Sequence, residues 1–327
     1  MNQMSPRSPL ARQADIEVTV LMPVHNGQPY LAGAIESVLA QSLRDFEFLI
    51  IDDGSTDGSD ATIRGYAARD RRIAVIHKPN SGIADTLNLG LECARAPLIV
   101  RMDADDRMKP DRIRRQVDFL RGHGDLAFAG CHFDMIDRRG RRFLASRPGP
   151  VTREALADLL DRQAAITFTH PTVIFRRDAV LAVGGYRPET EPSEDTDLFA
   201  RLIGAGQPGL VQPETLMEYR VHGGSVSGRQ VVAQFETHRL VTQNLYRRRR
   251  GEPELDIAGL RALLAAAGPV ARFHEACRQW SAILARQALY DLADRRLVSA
   301  GLRVAAAAAL RPGAAARRLL GWRPGRD

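Results

Sequence analysis

Short apolar runs alternate with amphipathic segments between residues 17 and 120, and this alternation restricts the folds open to the chain. The apolar runs, which predict buried strands, lie at residues 17–21, 46–51, 73–76 and 97–102. Apolar residues at helical spacing predict one helix that begins at Pro29 and others over residues 59–69, 83–94 and 110–120. Strands that alternate with helices of about 10 to 15 residues are typical of a doubly wound, mostly parallel sheet, so we expect an α/β fold.

The pattern is less regular after residue 120. Further strands are predicted at residues 126–135, 141–144 and 172–175, and further helices at residues 152–160, 178–183 and 195–203. After a Gly/Ser-rich break at residues 223–228, Ala, Leu and Arg dominate and predict three or four helices between residues 231 and 320. We expect these helices to be separated near Arg250-Gly251, Gly268-Pro269 and Arg311-Pro312. The chain therefore divides into a flexible lead-in (1–15), an α/β domain (16–230) and a helical region (231–327).

The net charge of +7 is distributed unevenly along the 327 residues. Residues 1–240 carry 30 basic and 32 acidic side chains, whereas residues 241–327 carry 16 basic and 7 acidic ones. The basic excess thus belongs to the C-terminal quarter of the chain. Such a segment attracts nucleic acid, anionic lipid or an acidic protein, and its charge alone does not select among them.

The cysteines and the apolar segments indicate in which cellular compartment the protein works. Three cysteines with no Cys-x-x-Cys spacing argue against a disulfide framework and against a thiolate zinc site. The N-terminal residues lack the apolar stretch of a signal peptide, and no segment approaches the roughly 18 apolar residues of a membrane span. We therefore expect a cytoplasmic protein that can touch a membrane surface without crossing it.

Polar and acidic residues follow three of the predicted strands. Residues 23–26 (PVHN) follow the first strand, residues 52–55 (DDGS) the second and residues 101–106 (RMDADD) the fourth. In a doubly wound sheet, ligands bind at the carboxyl ends of the strands. Carboxylates gathered at that edge repel one another unless a cation or hydrogen-bond donors compensate their charge.

Asp103 and Asp105 stand on either side of one small residue directly after a strand. Carboxylate oxygens without imidazole or thiolate nearby suit Mg²⁺ or Mn²⁺, and the oxygens of a diphosphate ligand would complete the coordination. An isolated Asp-x-Asp also occurs where the aspartates only shape and cap a turn. The sequence around it decides between the two interpretations.

Several segments resemble, in the same order, those of family 2 glycosyltransferases with the GT-A fold. VTVLMPVHNGQPYLAGAIESVLAQSLRDFEFLIIDDGSTDGS (18–59) is followed by NSGIADTLNLG (80–90) and RMDADD (101–106). Further along come HPTVIFRR (170–177), VGGY (183–186), SEDTDLFARL (193–202) and YRVHGGSVS (219–227). An ordered set of motifs over residues 16–230 is far more specific than any one of them.

The resemblance implies an inverting glycosyltransferase whose catalytic domain is residues 16–230. Its donor would be a nucleotide sugar, with a UDP- or TDP-sugar favoured over a GDP-sugar. Six residues match positions near the donor in this family: Pro23, His25, Asn26, Asp52, Asp53 and Asn80. Asp52 or Asp53 would accept the imide N–H of a uracil or thymine ring, or a ribose hydroxyl. The alternatives are an Asx turn at the acidic pair and a capping role for Asn80.

The resemblance also assigns a Mn²⁺ or Mg²⁺ site. Asp105 matches a direct ligand, and Asp103 matches a ligand that also contacts the sugar or ribose. Arg101 either pairs with a neighbouring carboxylate, which is the favoured interpretation, or reaches the diphosphate or donor sugar. His222 would contact the diphosphate or complete the metal shell, or else be a structural histidine.

Glu194 and Asp195 open a predicted helix, where an acidic pair also satisfies the helix N-terminus. In the resemblance, Asp195 matches the general base that deprotonates the acceptor hydroxyl, and Glu194 would orient the acceptor. One carboxylate is enough, because a metal-bound diphosphate leaves without a protonating acid. His170, which precedes Pro171, is expected to be structural.

The C-terminal arginines are interleaved with alanine and leucine. Five apolar residues fall along one helical face: Leu297, Ala300, Val304, Ala307 and Leu310. This face either packs a helical subdomain onto the catalytic domain, with the arginines solvated, or attaches the protein to an anionic membrane that carries a lipid-linked acceptor.

The leading hypothesis is an inverting, metal-dependent glycosyltransferase of cell-surface glycan assembly, acting on a polysaccharide, lipopolysaccharide or other glycan. One alternative is a nucleotidyltransferase, but residues 22–27 (MPVHNG) do not form a triphosphate loop. The other is a nucleic-acid-binding protein that acts through its basic C-terminal region. The acidic balance of residues 1–240 and the absence of an aromatic-basic RNA-binding signature argue against a nucleic-acid partner.

Overall fold

The structure is a computed structural model that describes residues 16–224 and 230–311. The predicted lead-in (1–15), part of the Gly/Ser-rich break (225–229) and the end of the basic region (312–327) lie outside the described residues. Within them, nine strands form one mixed sheet. They are β1 (Val18–Val24), β2 (Glu47–Asp53), β3 (Ile73–Lys78), β4 (Leu98–Arg101), β5 (Arg107–Met108), β6 (Phe128–Ile136), β7 (Arg142–Ser146), β8 (Ile174–Arg176) and β9 (Gly209–Arg220).

The strand order is β3-β2-β1-β4-β8-β6-β9-β5, and β7 pairs with β6. Strands β3, β2, β1 and β4 run parallel to one another, which is the arrangement that the alternating pattern predicted. In the second half, β8 is antiparallel to both β4 and β6, and β9 runs parallel to β6. Since parallel strands end at the same edge of a sheet, the loops after β1, β2 and β4 meet there.

Eleven α-helices lie in the described part of the chain. Seven belong to the α/β domain: α1 (Leu31–Leu39), α2 (Ser59–Ala67), α3 (Ile83–Cys93), α4 (Arg112–Gly122), α5 (Arg153–Asp161), α6 (Arg177–Ala182) and α7 (Glu194–Gly204). Four follow it: α8 (Val231–Arg249), α9 (Ile257–Ala266), α10 (Pro269–Ala293) and α11 (Leu297–Leu310). Every residue of β1 and β2 is buried, as expected of parallel strands that are covered on both faces.

Strand β9 is the main element that the sequence pattern does not predict. Its sequence, GLVQPETLMEYR, contains a proline and two glutamates that interrupt the apolar run. The register against β6 shifts so that Gln212 pairs with Cys131 and Thr215 with His132, which leaves residues 213–214 in a bulge. A bulge tolerates proline, which cannot donate to the ladder. Beyond the bulge, β9 carries Arg220 to the loop that follows β4.

The C-terminal helices pack against the α/β domain through α8. The Tyr246 hydroxyl donates to the Ala164 carbonyl at 2.6 Å, and the Gln234 amide donates to the Pro192 carbonyl at 3.1 Å. Helices α10 and α11 form a hairpin in which the Ser281 hydroxyl donates to the Ala307 carbonyl at 2.8 Å. The turn between them, at residues 294–296, is an extra break that the sequence does not predict. Among the described helices, none combines the length and the apolar character that a membrane span requires.

Candidate active site

The acidic loop, residues 101–106, follows β4 at the edge where the parallel strands end. Asp103, Asp105 and Asp106 each place one carboxylate oxygen within 4.8 Å of the others. The buried guanidinium of Arg101 forms an ion pair with Asp103, as the favoured interpretation of this arginine expected. The loop therefore concentrates three carboxylates beside one cation.

Asp106 is the most deeply buried carboxylate of the acidic loop, with 1% of its surface exposed. Its Oδ1 atom accepts the N–H of Arg220 at 2.7 Å, while its Oδ2 atom has no hydrogen-bond partner among the described residues. Burial raises the pKa of Asp106 well above its ordinary value, and the charges of Asp105 and Asp103 raise it further. A bound cation would offset both effects.

His222 lies beside the acidic loop, because the end of β9 passes there. Its Nε2 atom is 2.8 Å from Asp105 Oδ2, and its ring centre is 5.1 Å from that of Tyr30. The Arg220 guanidinium stacks 4.5 Å over the same Tyr30 ring and donates to the Asp105 carbonyl at 2.7 Å. The predicted residue His222 is thus within reach of any ligand that Asp105 holds.

Arg112 supports the acidic loop from within the core, a role that sequence reasoning missed. It is fully buried and donates to the Arg101 carbonyl at 3.0 Å and to Gln116 Oε1 at 2.9 Å. Gln116 in turn donates to the Thr172 carbonyl at 2.8 Å. Burial lowers the pKa of Arg112 to about 10, so it stays charged at neutral pH. Its signal in the sequence was an arginine on the apolar face of α4, next to Ile113.

The acidic pair Asp52 and Asp53, which ends β2, is buried and held by the protein itself. Asp52 Oδ1 accepts the N–H of Ser55 at 3.1 Å, which is the turn considered as an alternative. Asp53 pairs with Lys78 and accepts the N–H groups of residues 81 and 82 at 2.9 Å and 3.2 Å. Both carboxylates are therefore fixed in position at the end of the strand.

His25, Asn26 and Asn80 form an exposed rim above this acidic pair, and Pro23 lies buried in β1 below it. His25 Nδ1 is 2.8 Å from the Asp53 carbonyl oxygen and 3.0 Å from Asn80 Nδ2. Asn26 Oδ1 accepts the N–H of residue 56 at 2.8 Å. The structure thus brings together all the residues predicted to lie near the base and ribose of the donor.

Two glycines keep these loops in contact. Gly54 has a positive φ of 70°, and a Cβ there would lie 2.7 Å from the backbone nitrogen of Asn80. A Cβ on Gly27 would lie 3.3 Å from Ala104 Cβ, in the middle of the acidic loop. The rim, whose residues follow β1 and β3, and the acidic loop after β4 therefore border one another.

Glu194 and Asp195 begin α7, within the electrostatic reach of Arg101. Glu194 is buried, and burial together with the charge of Asp195 raises its pKa to about 8. Burial also raises the pKa of the half-buried Asp195, whose Oδ1 accepts the N–H of Thr196 at 2.7 Å. The charge of Arg101 lowers the pKa of both carboxyls, and that of Asp103 raises the pKa of Asp195. The predicted base therefore shares one electrostatic environment with the acidic loop.

A buried hydrogen bond joins the HPTVIFRR and VGGY motifs to one another. His170 is buried, with its Nε2 atom 2.8 Å from the Tyr186 hydroxyl, and burial lowers its pKa well below the ordinary value. Asn88 accepts the N–H of Tyr186 and donates to its carbonyl, both at 2.8 Å. These contacts agree with the structural role expected of His170.

A cavity of about 180 Å³ lies where β6 and β9 meet α10. Its walls are mostly aromatic and apolar, and include Phe133, Tyr219, Leu289 and Tyr290. Arg220, which holds the acidic loop, also lines it. The cavity therefore adjoins the acidic loop from the side of the helical region.

Known proteins resemble both the motifs and the fold. The sequence model described as glycosyl transferase family 2 matches residues 19–184, about half of the chain. The chain belongs to glycosyl transferase family 2. It is therefore a glycosyltransferase, and its mixed sheet with covering helices is the GT-A fold.

Relatives in this family come from several bacteria. The putative glycosyltransferase EpsE of Bacillus subtilis is 34% identical over 211 residues, which cover 62% of this chain and 73% of EpsE. The amylovoran biosynthesis glycosyltransferase AmsE of Erwinia amylovora is 27% identical over 214 residues, which cover 64% of this chain and 79% of AmsE.

Solved structures extend the similarity beyond the α/β domain. TarS (1–349) of S. aureus, in complex with UDP, superposes with a TM-score of 0.55 and 13% identity over 95% of this chain and 94% of its own. The mannosyltransferase PcManGT of Pyrobaculum calidifontis, in complex with GDP-Man and Mn²⁺, gives a TM-score of 0.52 and 18% identity. The match covers 91% of this chain and 87% of the PcManGT chain. At such identities the likeness establishes the fold alone.

Proposed function

We propose that this glycosyltransferase moves a sugar from a nucleoside-diphosphate sugar to an acceptor hydroxyl, with inversion and with a divalent cation. The observation that carries the proposal is the electrostatic coupling of the acidic loop to Glu194 and Asp195 through Arg101. Structural neighbours crystallised with UDP, UDP-GlcNAc and GDP-Man support a nucleotide-sugar donor. The name of AmsE supports a place in polysaccharide or other cell-surface glycan assembly.

The donor set of the acidic loop fits Mn²⁺ or Mg²⁺. Asp103, Asp105 and Asp106 offer hard oxygens within 4.8 Å of one another, and one Asp106 oxygen lacks a partner among the described residues. We propose Asp105 and Asp103 as metal ligands, with His222 beside Asp105. When bound, the cation supplies Lewis-acid stabilisation of the charge that develops on the leaving nucleoside diphosphate.

The rim and the acidic pair at the end of β2 hold the nucleotide in this proposal. Asp52 or Asp53 accepts the imide N–H of uracil or thymine or a ribose hydroxyl, so a UDP- or TDP-sugar is favoured over a GDP-sugar. Pro23, His25, Asn26 and Asn80 surround that pair. Because the protein itself holds both carboxylates, they need no rearrangement when the base enters.

Asp195 acts as the general base. In its ionised form it takes the proton from the acceptor hydroxyl, whose oxygen then attacks the anomeric carbon from the face opposite the diphosphate. Arg101 favours that ionised form, because its charge lowers the pKa that burial raises. Glu194, with a pKa of about 8, is neutral at pH 7 and donates a hydrogen bond that orients the acceptor.

The acceptor is a glycan or a lipid-linked glycan that reaches Asp195 from the side of the helical region. The cavity between β9 and α10 adjoins the acidic loop and offers aromatic walls for a sugar ring. A cytoplasmic enzyme at the inner face of the cell membrane, attached through residues 231–327, would meet such an acceptor.

Two variants test the proposal with purified protein, Mn²⁺ and a panel of nucleotide sugars. A binding donor raises the thermal midpoint, because it stabilises only the folded state. Asp195→Asn should abolish transfer and keep metal-dependent nucleotide binding, whereas Asp105→Asn should weaken both. Glu189→Gln, an exposed acidic residue near the same helix, is the control.

Full transfer activity in either variant contradicts the assignment. The released product distinguishes the proposed glycosyltransferase from a nucleotidyltransferase. A glycosyltransferase releases a nucleoside diphosphate, whereas a nucleotidyltransferase releases pyrophosphate from a nucleoside triphosphate. Pyrophosphate release without any sugar transfer would therefore replace this proposal with the rival one.

A further inference from the structure

Exposed apolar side chains are concentrated in the C-terminal helices. Among the described residues, three large apolar side chains of the α/β domain are exposed: Leu144, Val151 and Leu181. Nine are exposed in α8–α11, although these helices form the shorter part: Val232, Leu263, Val270, Phe273, Trp280, Leu297, Val298, Leu302 and Val304. A concentration of this kind marks a surface that contacts a partner.

The hairpin of α10 and α11 has a packed interior of its own, so these side chains are not its core. Ala300 and Ala307 are buried between the helices. Asp291 accepts the Ser299 hydroxyl at 2.6 Å and pairs with Arg303 at 2.7 Å. The predicted apolar stripe of α11 is therefore divided, with its alanines packed inward and its larger members Leu297 and Val304 exposed.

The outer face of α11 is opposite this packed side. At 100° per residue, Val298 and Leu302 point away from Ala300, Arg303 and Ala307. They are 79% and 68% exposed. On α10, Trp280 is 57% exposed and adjoins Ser281, whose hydroxyl donates to the Ala307 carbonyl near the end of α11. We define the docking face as Leu297, Val298 and Leu302 together with Trp280.

Unpaired cations border the docking face. Arg295 and Arg296 precede α11, and Arg311 follows it. All three are exposed, and none forms an ion pair with another described residue, in contrast to Arg261 and Arg278, which pair with glutamates. The whole segment 241–327 carries 16 basic side chains against 7 acidic ones.

We propose that the docking face binds the surface of an anionic lipid bilayer. An amphipathic helix in such an interface sinks its apolar side about 5 to 10 Å below the headgroups, a depth comparable with a helix diameter of roughly 10 Å. Arginines at both ends of α11 meet the negative headgroups, and each cation near such a surface adds to the affinity. Charge complementarity thus selects an anionic bilayer over a neutral one.

Co-sedimentation of the full chain with vesicles tests the docking face. We expect binding to phosphatidylglycerol vesicles at low salt, at least about tenfold weaker binding to phosphatidylcholine vesicles, and release of the protein by high salt. The double variant Val298→Ser, Leu302→Ser should lose binding at least about tenfold. Leu144→Ser, Leu181→Ser, which changes two exposed leucines of the α/β domain, is the matched control. Thermal unfolding of each variant verifies that it is folded.

Tryptophan fluorescence reports on the same face. The chain has two tryptophans, and Trp322 lies outside the described residues. In a Trp322→Phe variant, emission comes from Trp280 alone, and we expect it to shift to shorter wavelength when phosphatidylglycerol vesicles are added.

Three results would overturn the proposal. In the first, the protein does not bind phosphatidylglycerol vesicles. In the second, the double variant Val298→Ser, Leu302→Ser binds these vesicles as well as wild type does. In the third, the protein self-associates in solution and this double variant does not. The last would make the face an interface between two copies of the chain. Because none of these measurements involves a sugar donor, they stand or fall separately from the proposed transfer reaction.

Discussion

Arg101 is the residue on which the two halves of the candidate site depend. A buried guanidinium is costly unless carboxylates compensate it, and here Asp103 pairs with it while Glu194 and Asp195 lie within its field. Its Nε–H has no hydrogen-bond partner among the residues described. The ion pair with Asp103 therefore leaves one buried donor of this guanidinium unsatisfied.

Glu194 gives a pH-dependent prediction for stability. Its pKa is about 8 in the folded protein and 4.5 ordinarily. Below pH 4.5 the carboxyl is neutral in both states. Between these values the unfolded state ionises and the folded state does not, so Glu194 makes the protein less stable as pH rises. We expect Glu194→Gln to reduce the loss of unfolding free energy between pH 5 and 9 by on the order of 3 kcal/mol.

Urea denaturation of wild type and Glu194→Gln at several pH values measures this difference. Glu189→Gln, which changes an exposed carboxylate, serves as the control and should follow the wild-type curve. Equal losses of stability with pH in wild type and Glu194→Gln would show that the carboxyl ionises normally in the folded protein.

At the scale of elements, the acidic loop depends on α4, which packs against β6 and β9 and bonds to the end of β4. Arg112 is the link, because its guanidinium donates to the Arg101 carbonyl and to Gln116, and both bonds are in the core. A loop that gathers three carboxylates needs such support, since their mutual repulsion favours other conformations.

Arg112→Met should therefore weaken both stability and ligand binding. The change removes the donor to the Arg101 carbonyl and to the buried Gln116 amide oxygen, which costs about 2 to 4 kcal/mol of unfolding free energy. Metal-dependent nucleotide affinity should fall as well, because the end of β4 is no longer fixed. Arg114→Met, on the exposed side of α4, is the control. Calorimetric titration with UDP and Mn²⁺ measures the affinity, and unchanged affinity in folded Arg112→Met contradicts the positioning role.

The strands and helices that the sequence predicted are those that a local pattern of apolar residues specifies. The runs of β1 and β2 are buried on both faces, so their apolar character is continuous and unambiguous. Strand β9 was missed because its partner β6 lies about eighty residues earlier and its bulge interrupts the apolar pattern at Pro213. The acidic residues of the site follow predicted strands and could be found, whereas Arg112 acts through a long-range contact that no local pattern contains.

At the scale of the whole molecule, the uneven charge has a structural counterpart. The near-neutral α/β domain places its carboxylates at one edge of the sheet, while the arginine-rich helices border that edge through the cavity and carry the exposed apolar side chains. The donor site and the proposed membrane contact therefore belong to different parts of the chain, so each should survive variants that disable the other.

Asp106 joins the acidic loop to the stability of the entire protein. Its buried Oδ2 has no partner among the described residues, and burial together with the neighbouring carboxylates raises its pKa, so in the absence of metal the group destabilises the fold. Asp106→Asn keeps an oxygen to accept the Arg220 N–H and removes the buried acid. We expect the metal-free variant to be more stable than wild type by about 1 to 2 kcal/mol.

Wild type should gain about 3 kcal/mol of unfolding free energy from Mn²⁺ at a hundred times its dissociation constant, and the Asp106→Asn variant should gain much less. Thermal unfolding with EDTA and with Mn²⁺ measures all four states, and an equal gain from Mn²⁺ in both proteins would place the cation away from Asp106.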